Sequence, residues 1–404
     1  MKTMSSYCKK HSLAAAIALM ISTPFANASD VTVSGFLSVG GGMVDEEYPA
    51  NAQGVTPPNY KGYEEDFTFD NNLLGLQVTG TVSEKVTATA QLIARSADDY
   101  QVNSEWAYLT WQASDTVKVR AGRLRIPLYM YSDFIDVGYS YAWITPPPEV
   151  YFSPFNNVDG VDIYVSNTLG IFDATLQAYV GSFTDDFVQD GVVTNTKARN
   201  QIGVSGTIGK DWWTLRAAHH QSELTLDLSG VVLGPQLTLG GLAQYLTVIG
   251  FPENTQRLLA EEDDVTFTEI GINMDTGRFV AAAEYIEFDP GESMLSKNIR
   301  QYVMVGVRTG EWLFHVTASE AKDEVSRPEQ GLPAGQPDPL FGNTSVIIGT
   351  LQAVARAQVV EREVMSLGTR WDVTTGTAIK FQYDDVDDEV GDQKVYSVAL
   401  QTVF

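Results

Sequence analysis

The sequence has almost no cysteine. One of its 404 residues is a cysteine, Cys8, and it lies near the N-terminus, before an apolar run. Because we expect this segment to be cleaved, the mature chain would contain no thiol. That excludes a disulfide framework, a catalytic cysteine and a cysteine-bound metal from the mature protein. No cysteine lies at the expected cleavage site, which argues against a lipoprotein.

The N-terminal segment is typical of a secretory signal peptide. Three lysines precede an apolar run at residues 12–21, and residues 26–28 read Ala-Asn-Ala, a small-residue cleavage site. The apolar run is too short to span a bilayer as a helix. We therefore predict a cleaved signal peptide at residues 1–28 and one mature domain at residues 29–404, which has 404 − 28 = 376 residues.

Positive charge is also scarce. The chain has 26 Lys+Arg against 51 Asp+Glu; the signal peptide holds three lysines and no acid, so the mature counts are 26 − 3 = 23 against 51, a net charge of −28. Nucleic-acid binding is disfavoured, because no basic patch is available to neutralise phosphates. The acids cluster at predicted loops, which we interpret as solvated segments: residues 45–47, 64–66, 185–186, 261–264 and 384–389.

Long apolar runs are absent after residue 28, so no segment approaches the ~20 apolar residues of a transmembrane helix. The mean hydropathy is −0.09, which would ordinarily indicate a soluble protein. A membrane-spanning barrel gives the same average, because its strands alternate apolar residues toward lipid with polar residues toward the lumen.

The last strand of the chain shows this alternation clearly. Counted back by twos from the terminal phenylalanine to Tyr396, every residue except Thr402 is apolar or aromatic, while the other register is smaller and more polar. This pattern predicts the closing strand of a barrel, with one face toward lipid. The residues that we expect to form its barrel-assembly signal are Tyr396, Val398, Leu400 and Phe404.

Similar alternating segments recur along the whole mature chain, joined in turn by short turns and longer loops. We predict an all-β fold: a transmembrane antiparallel β-barrel of about sixteen strands whose first and last strands pair and remove both sheet edges. The predicted strands are residues 31–44, 67–81, 86–95, 102–112, 116–126, 161–167, 171–183, 198–208, 212–223, 265–274, 278–289, 298–308, 312–321, 359–371, 377–384 and 394–404.

Together, the signal peptide, the sixteen alternating strands, the acidic loops and the terminal Phe404 resemble the Gram-negative general porins. The resemblance implies a homotrimer with a water-filled channel, and a third extracellular loop that folds into the barrel. Here that loop is residues 127–158, which are rich in aromatic residues and proline. So many aromatic side chains need a packing partner, and the barrel wall would supply one. The loop lacks the Pro-Glu-Phe-Gly-Gly signature of enteric porins. An extracellular lid or a contact between protomers is the alternative.

In enteric-type porins, acids of this loop face basic residues on the opposite wall. Charge on a lipid face costs about 2–4 kcal/mol for Arg or Lys at mid-depth, so basic strand residues are expected to face the lumen. Opposed charges would create a transverse field that favours polar solutes. The alternative is that the arginines only brace the loop. The candidates for this constriction are the acids Asp133, Asp136 and Glu149, and the basic residues Arg95, Lys118, Arg120, Arg123, Arg125, Arg199, Arg216, Arg300, Arg308, Arg370 and Lys380.

Three other functions stay open at this point. A channel selective for anions, carboxylates or sugars would use the same residues, and the long apolar fifth loop, residues 226–260, would plug or gate it. A barrel enzyme would need His219, His220 or His315, but the sequence has no Gly-x-Ser-x-Gly or HExxH motif. An adhesive or structural barrel would conduct nothing.

We expect passive diffusion of small hydrophilic solutes and ions, with no enzymatic activity, no cofactor and no metal. The expected partners are these solutes and ions, outer-membrane lipid and lipopolysaccharide, further copies of the chain in a homotrimer, and the barrel assembly machinery. The expected location is the Gram-negative outer membrane.

Overall fold

A computed structural model of the protein describes residues 30–50, 56–153, 156–189, 192–234 and 237–404, with the backbone alone at 186–189 and 192–194. The predicted signal peptide, residues 1–28, lies outside the described residues.

Sixteen antiparallel strands close into a barrel, which confirms the predicted fold class and strand number. Each barrel strand pairs with its neighbour along the chain, and the last pairs with the first. The barrel strands are β1 (Val31–Val44), β2 (Leu73–Ser83), β3 (Val86–Arg95), β4 (Val102–Gln112), β5 (Val117–Arg125), β6 (Asn157–Leu169), β7 (Phe172–Gln189), β8 (Val192–Lys210), β9 (Trp213–Leu226), β12 (Asp263–Asp275), β13 (Phe279–Asp289), β14 (Lys297–Thr309), β15 (Trp312–Glu324), β18 (Glu361–Thr374), β19 (Thr377–Asp388) and β20 (Gln393–Val403).

The remaining elements lie in two long loops. Loop 5, residues 227–262, contains the hairpin β10 (Val232–Gly234) and β11 (Leu237–Thr238), followed by helices α1 (Leu239–Val248) and α2 (Pro252–Leu259). Loop 7, residues 325–360, contains the hairpin β16 (Pro337–Asp338) and β17 (Gly342–Asn343), and helix α3 (Thr344–Arg356). No helix in the described ranges is long and apolar enough to cross a membrane.

Strand β20 closes the barrel against β1, and its two faces follow the predicted alternation. Tyr396, Leu400 and Phe404 are 46%, 40% and 65% exposed, whereas the intervening Gln401, Ala399, Ser397 and Val395 are buried. The backbone N–H of Phe404 donates to the Gly35 carbonyl, and the Gly35 N–H donates to the Phe404 carbonyl. The apolar register therefore lies on the outer face.

Some strand boundaries differ from prediction. Strand β2 begins at Leu73 rather than at residue 67, because Thr68 instead forms an isolated bridge with Gly42 of β1. Strands β7 and β8 extend well beyond the predicted 171–183 and 198–208, since their backbones stay paired from Phe183 with Ala198 to Gln189 with Val192.

Loops 5 and 7 pack on each other. Leu242 and Leu246 of α1 and Leu258 of α2 share an apolar cluster with Ile347 and Leu351 of α3. These side chains have almost no exposure. The apolar stretch of loop 5 is therefore buried against loop 7, and it belongs to a different apolar cluster from the one inside the barrel.

A substitution at Gly122 in β5 would test how closely the barrel wall is packed. Its φ is +135°, and a Cβ there would lie 2.2 Å from the Ala107 carbonyl oxygen. We expect Gly122→Ala to lower the free energy of unfolding by about 1–3 kcal/mol, because it forces a side chain into a backbone region reserved for glycine. The measurement is urea unfolding of the protein refolded in lipid vesicles.

Gly80 of β2 is the matched control, because a Cβ there would have no neighbour within 4 Å. Gly80→Ala should leave stability unchanged or raise it by up to about 1 kcal/mol. Equal urea midpoints for the two variants would contradict the proposed constraint at Gly122.

Candidate functional site

Loop 3, described at residues 126–153 and 156, lies inside the barrel and carries its apolar core. Tyr129 and Trp143 are 2% and 1% exposed. The Tyr129 ring meets Phe267 of β12 edge-on at 5.4 Å between ring centres, and Trp143 meets Tyr302 of β14 in the same way at 5.4 Å. Aromatic burial of this kind is strongly favourable, so the loop is held against the wall of β12–β15.

Two basic side chains of the wall hold the backbone of loop 3. Lys380 of β19 is 0% exposed, and no carboxylate of the described residues lies within 4.0 Å of its ammonium group. It donates instead to three loop carbonyl oxygens at 2.5–2.7 Å: those of Gly138, Tyr141 and Trp143. Arg370 of β18 donates to the carbonyls of Tyr139 (2.6 Å) and Tyr141 (3.1 Å) and lies over the Tyr139 ring. These donors satisfy carbonyl groups that a loop cannot pair internally.

Arg216 of β9 holds the start of the loop in the same way. It donates to the Pro127 carbonyl oxygen at 2.5 Å and to the Leu128 carbonyl at 3.4 Å. It also forms a salt bridge with Glu269 of β12. The loop is thus bound on the β9 and β12 side as well as on the β18 and β19 side.

Two of the predicted loop acids are also anchored to the wall. Asp136 forms salt bridges with Arg95 at 2.8 Å and with Arg125 at 2.5 Å. Burial disfavours its charged form, but the two guanidinium groups outweigh burial and hold the pKa of Asp136 below its ordinary value. Glu149 accepts hydrogen bonds from the Tyr60 hydroxyl (2.7 Å) and from the Ser319 hydroxyl.

The third loop acid, Asp133, is exposed, and it has no ion pair within 4.0 Å among the described residues. It lines a cavity of about 320 Å³ between loop 3 and the wall of β6–β9. The wall side chains that share this cavity are mostly polar: Tyr164, Thr175, Gln177, Ser205, Thr207, Thr214 and Arg216.

The other wall cations are mostly paired. Arg120 forms a bidentate contact with Asp162 and lies over the Tyr108 ring. Lys118 has the same inward parity as Arg120, is exposed, and has no ion pair within 4.0 Å in the described part of the chain. The remaining pairs are Arg300 with Asp323 at 2.5 Å and Arg308 with Asp275 at 3.1 Å.

Two residues predicted to face the lumen do not. Arg199 is on the outer side of β8, with a 60% exposed side chain 3.9 Å from Glu262, because a bulge between Arg199 and Ile202 reverses the inward alternation. Arg123 pairs with Asp159 and lies opposite Ala107 on the outer face. Gly122 distorts β5 without inserting a residue, so it does not turn Arg123 inward.

Sequence reasoning missed several residues that position loop 3. Gln401 donates to the Ile144 carbonyl (2.8 Å), and the indole N–H of Trp143 donates to the Thr317 hydroxyl (2.8 Å). Glu284 accepts from the Met130 N–H at 2.9 Å. The alternation of polar and apolar residues along the strands indicates that the wall residues Gln401, Thr317 and Glu284 face inward. The sequence does not indicate their partners in loop 3, because each partner lies more than 150 residues away in the chain.

Comparisons with known proteins agree with this architecture. A family profile for Gram-negative porins matches residues 14–331. No curated protein sequence matches the chain significantly.

Among solved structures, the chain is similar to OmpF of Salmonella typhi in complex with daunomycin, at 11% identity over 93% of this chain and 97% of that chain, with a TM-score of 0.55. It is similar to the outer membrane channel DcaP of Acinetobacter baumannii, at 11% identity over 93% and 97%, with a TM-score of 0.54. It is also similar to the trimer form of OmpT, an outer membrane protein of Vibrio cholerae, at 10% identity over 93% and 99%, with a TM-score of 0.51.

The structural likenesses establish the fold, and the profile covers most of the chain. The protein therefore belongs to the family of Gram-negative porins and forms an outer-membrane channel for small solutes.

Proposed function

We propose that the protein is a constricted, non-enzymatic diffusion pore that admits small hydrophilic solutes and ions and favours cations. The observation that carries this proposal is the anchoring of loop 3 across the lumen. Lys380 and Arg370 hold it on one side and Arg216 on the other. Anchored in this way, the loop narrows the channel at a fixed place, and the cavity beside Asp133 offers a polar path along the wall of β6–β9.

The charge balance at the constriction supports a preference for cations. Most lumenal arginines are matched by a carboxylate, as in Arg120 with Asp162 and Arg216 with Glu269. Asp133 has no such partner among the described residues, and it borders the open cavity. A paired charge contributes a weak field at a distance, whereas a single carboxylate in a narrow water-filled passage raises the local concentration of cations. Lys118, which is exposed and makes no ion pair in the described part of the chain, is an opposing charge.

The histidines give no support to an enzyme. The His220 ring contacts the Tyr179 hydroxyl (3.1 Å) and the Pro127 carbonyl (3.2 Å), and His219 contacts the Thr268 hydroxyl (2.9 Å). His315 packs on the Trp143 ring. In the described residues no histidine is hydrogen-bonded to a serine or a carboxylate, which a hydrolytic pair requires.

We also infer the assembly and the partners of the channel. OmpT of Vibrio cholerae has a trimer form, and this chain has a similar barrel architecture. We therefore propose a homotrimer for this chain. The exposed apolar face of β20, with Leu400 and Phe404, would contact lipid and be read by the barrel assembly machinery. The acidic loop segments would meet lipopolysaccharide through divalent cations.

Planar-bilayer recording tests the pore and its charge preference. The refolded protein should open in ohmic steps, and the reversal potential in a KCl gradient should have the sign of a cation-preferring channel. Asp133→Asn should move this potential toward anion preference, most clearly near 0.1 M salt, where the screening length is about 10 Å. Glu84→Gln, in an exposed turn between β2 and β3, removes the same charge away from the constriction and should leave the potential unchanged.

A folded barrel that stays silent would refute the diffusion pore. An anion-preferring potential in the unmodified protein would refute the role of Asp133 and point to Lys118.

Lys380→Met tests whether loop 3 sets the current. The change keeps an unbranched side chain of similar length but removes the donor shared by three carbonyls. Leaving a buried carbonyl group without a hydrogen-bond donor costs about 1–3 kcal/mol. We expect a lower urea midpoint and a larger, noisier single-channel current, because the loop is less firmly held.

Lys322→Met is the matched control, since Lys322 is an exposed lysine of β15 that makes no ion pair within 4.0 Å among the described residues. It should change neither stability nor current. An unchanged current in Lys380→Met, together with reduced stability, would show that loop 3 does not limit conduction.

A further inference from the structure

A second cavity lies on the same wall as the polar one, nearer to the barrel end that carries the long loops. Its volume is about 210 Å³, and it lies between loop 3, β7–β9, β12 and β13. Its lining is largely apolar, unlike that of the cavity beside Asp133. The main apolar lining residues are Leu128, Ala198, Leu224, Val265, Phe267 and Phe288.

The two cavities are separated by a hydrogen-bonded bridge from the wall to loop 3. The Nε2 of His220 contacts the Pro127 carbonyl oxygen at 3.2 Å, and its Nδ1 contacts the Tyr179 hydroxyl at 3.1 Å. Because a carbonyl only accepts, Nε2 carries the proton and Nδ1 accepts from Tyr179. Both ring nitrogens are therefore engaged. A molecule entering from the loop end would meet this bridge as the floor of the apolar cavity.

One buried polar atom in the lining lacks a partner. Gln201 is 6% exposed, and its side-chain carbonyl oxygen accepts no hydrogen bond in the described structure. An unsatisfied buried carbonyl costs about 1–3 kcal/mol. A group of this kind in a native structure calls for an explanation, and a bound donor is one.

A bulge in the strand turns Gln201 into the cavity. The pairing of β8 with β9 shifts between Arg199 and Ile202, and Asn200 within the bulge has a φ of +49°. The bulge places Ala198 and Gln201 inward, and it leaves Ile202 on the outer face. Regular alternation from Ala198 would instead point Ile202 inward. Bulges often redirect a side chain beside a functional site, and this one exchanges an apolar residue for a hydrogen-bond acceptor.

We propose that this cavity is a binding subsite for small amphipathic solutes that carry one aromatic or branched apolar body and one hydrogen-bond donor. The body would occupy the apolar lining, and the donor would reach Gln201 Oε1. An engineered apolar cavity of about 150 Å³ binds benzene, so 210 Å³ accommodates one substituted ring. The inference rests on the proposed pore, because the solute reaches the subsite through its outer mouth.

The test uses ligand-observed ¹⁹F NMR of 4-fluorophenol and 4-fluorotoluene with the refolded full barrel in detergent. These probes have similar size and differ in the hydroxyl donor. We expect saturable broadening of both signals, with 4-fluorophenol the tighter ligand. Leu224→Trp fills the cavity and should abolish the saturable part for both probes. Signal that persists in this variant reports partition into the micelle.

Gln201→Met keeps the side-chain volume and removes the acceptor. It should weaken the binding of 4-fluorophenol by about five- to tenfold, which is the effect of one hydrogen bond. The affinity for 4-fluorotoluene should be unchanged. Heat-modifiable gel mobility confirms that each variant is folded. Equal loss of both probes in Gln201→Met, or saturable binding that survives in folded Leu224→Trp, would overturn the subsite.

Bilayer conductance of the same samples without probe separates the two proposals. A conducting protein that shows no saturable probe binding refutes the subsite and leaves the pore intact. Saturable binding that responds to both variants in a silent, folded barrel supports the subsite and refutes the pore.

Discussion

The structure depends on one constraint: the backbone carbonyls of a loop placed inside a barrel must find donors on the wall. A β-barrel satisfies its own backbone between strands, so an irregular segment in the lumen arrives with unpaired groups. Aromatic burial brings loop 3 to the wall, as where Trp143 meets Tyr302. Buried cations then supply the donors, and Lys380 alone serves three carbonyls.

This use of the wall cations decides the electrostatics of the channel. A guanidinium group paired with a carboxylate has its charge largely compensated, and one that donates to loop carbonyls is held in place against the loop. Arg216 and Arg370, which resemble a ladder in the sequence, act as structural ties. The sequence is compatible with two roles for such residues, facing solutes or bracing the loop, and the contacts favour bracing for most of them. We propose that solutes meet a field to which Asp133 and Lys118 contribute, since both are exposed and make no ion pair among the described residues.

Bulges divide the wall of β7–β9 into two environments. Below the bridge formed by Tyr179 and His220, the inward residues of these strands are polar. Above it, beyond the irregular pairing at Gly181 in β7 and at Arg199 in β8, apolar residues predominate, and Gln201 and Ser222 are polar. The same wall therefore presents a solute first with an apolar surface and then with a polar one. The positions at which the strand alternation is broken therefore decide which side chains line each part of the wall.

The sequence by itself determined the barrel, because strand alternation is a local property with a period of two residues. It predicted sixteen strands, the outward face of Tyr396, Leu400 and Phe404, and a buried aromatic third loop. It could not determine what each charge contacts, since Lys380 meets loop carbonyls more than 230 residues away. Nor could it place Arg199, because one bulged residue reverses the parity of everything before it. Only the tertiary structure decided which charges stay free and which cavities the loop leaves open.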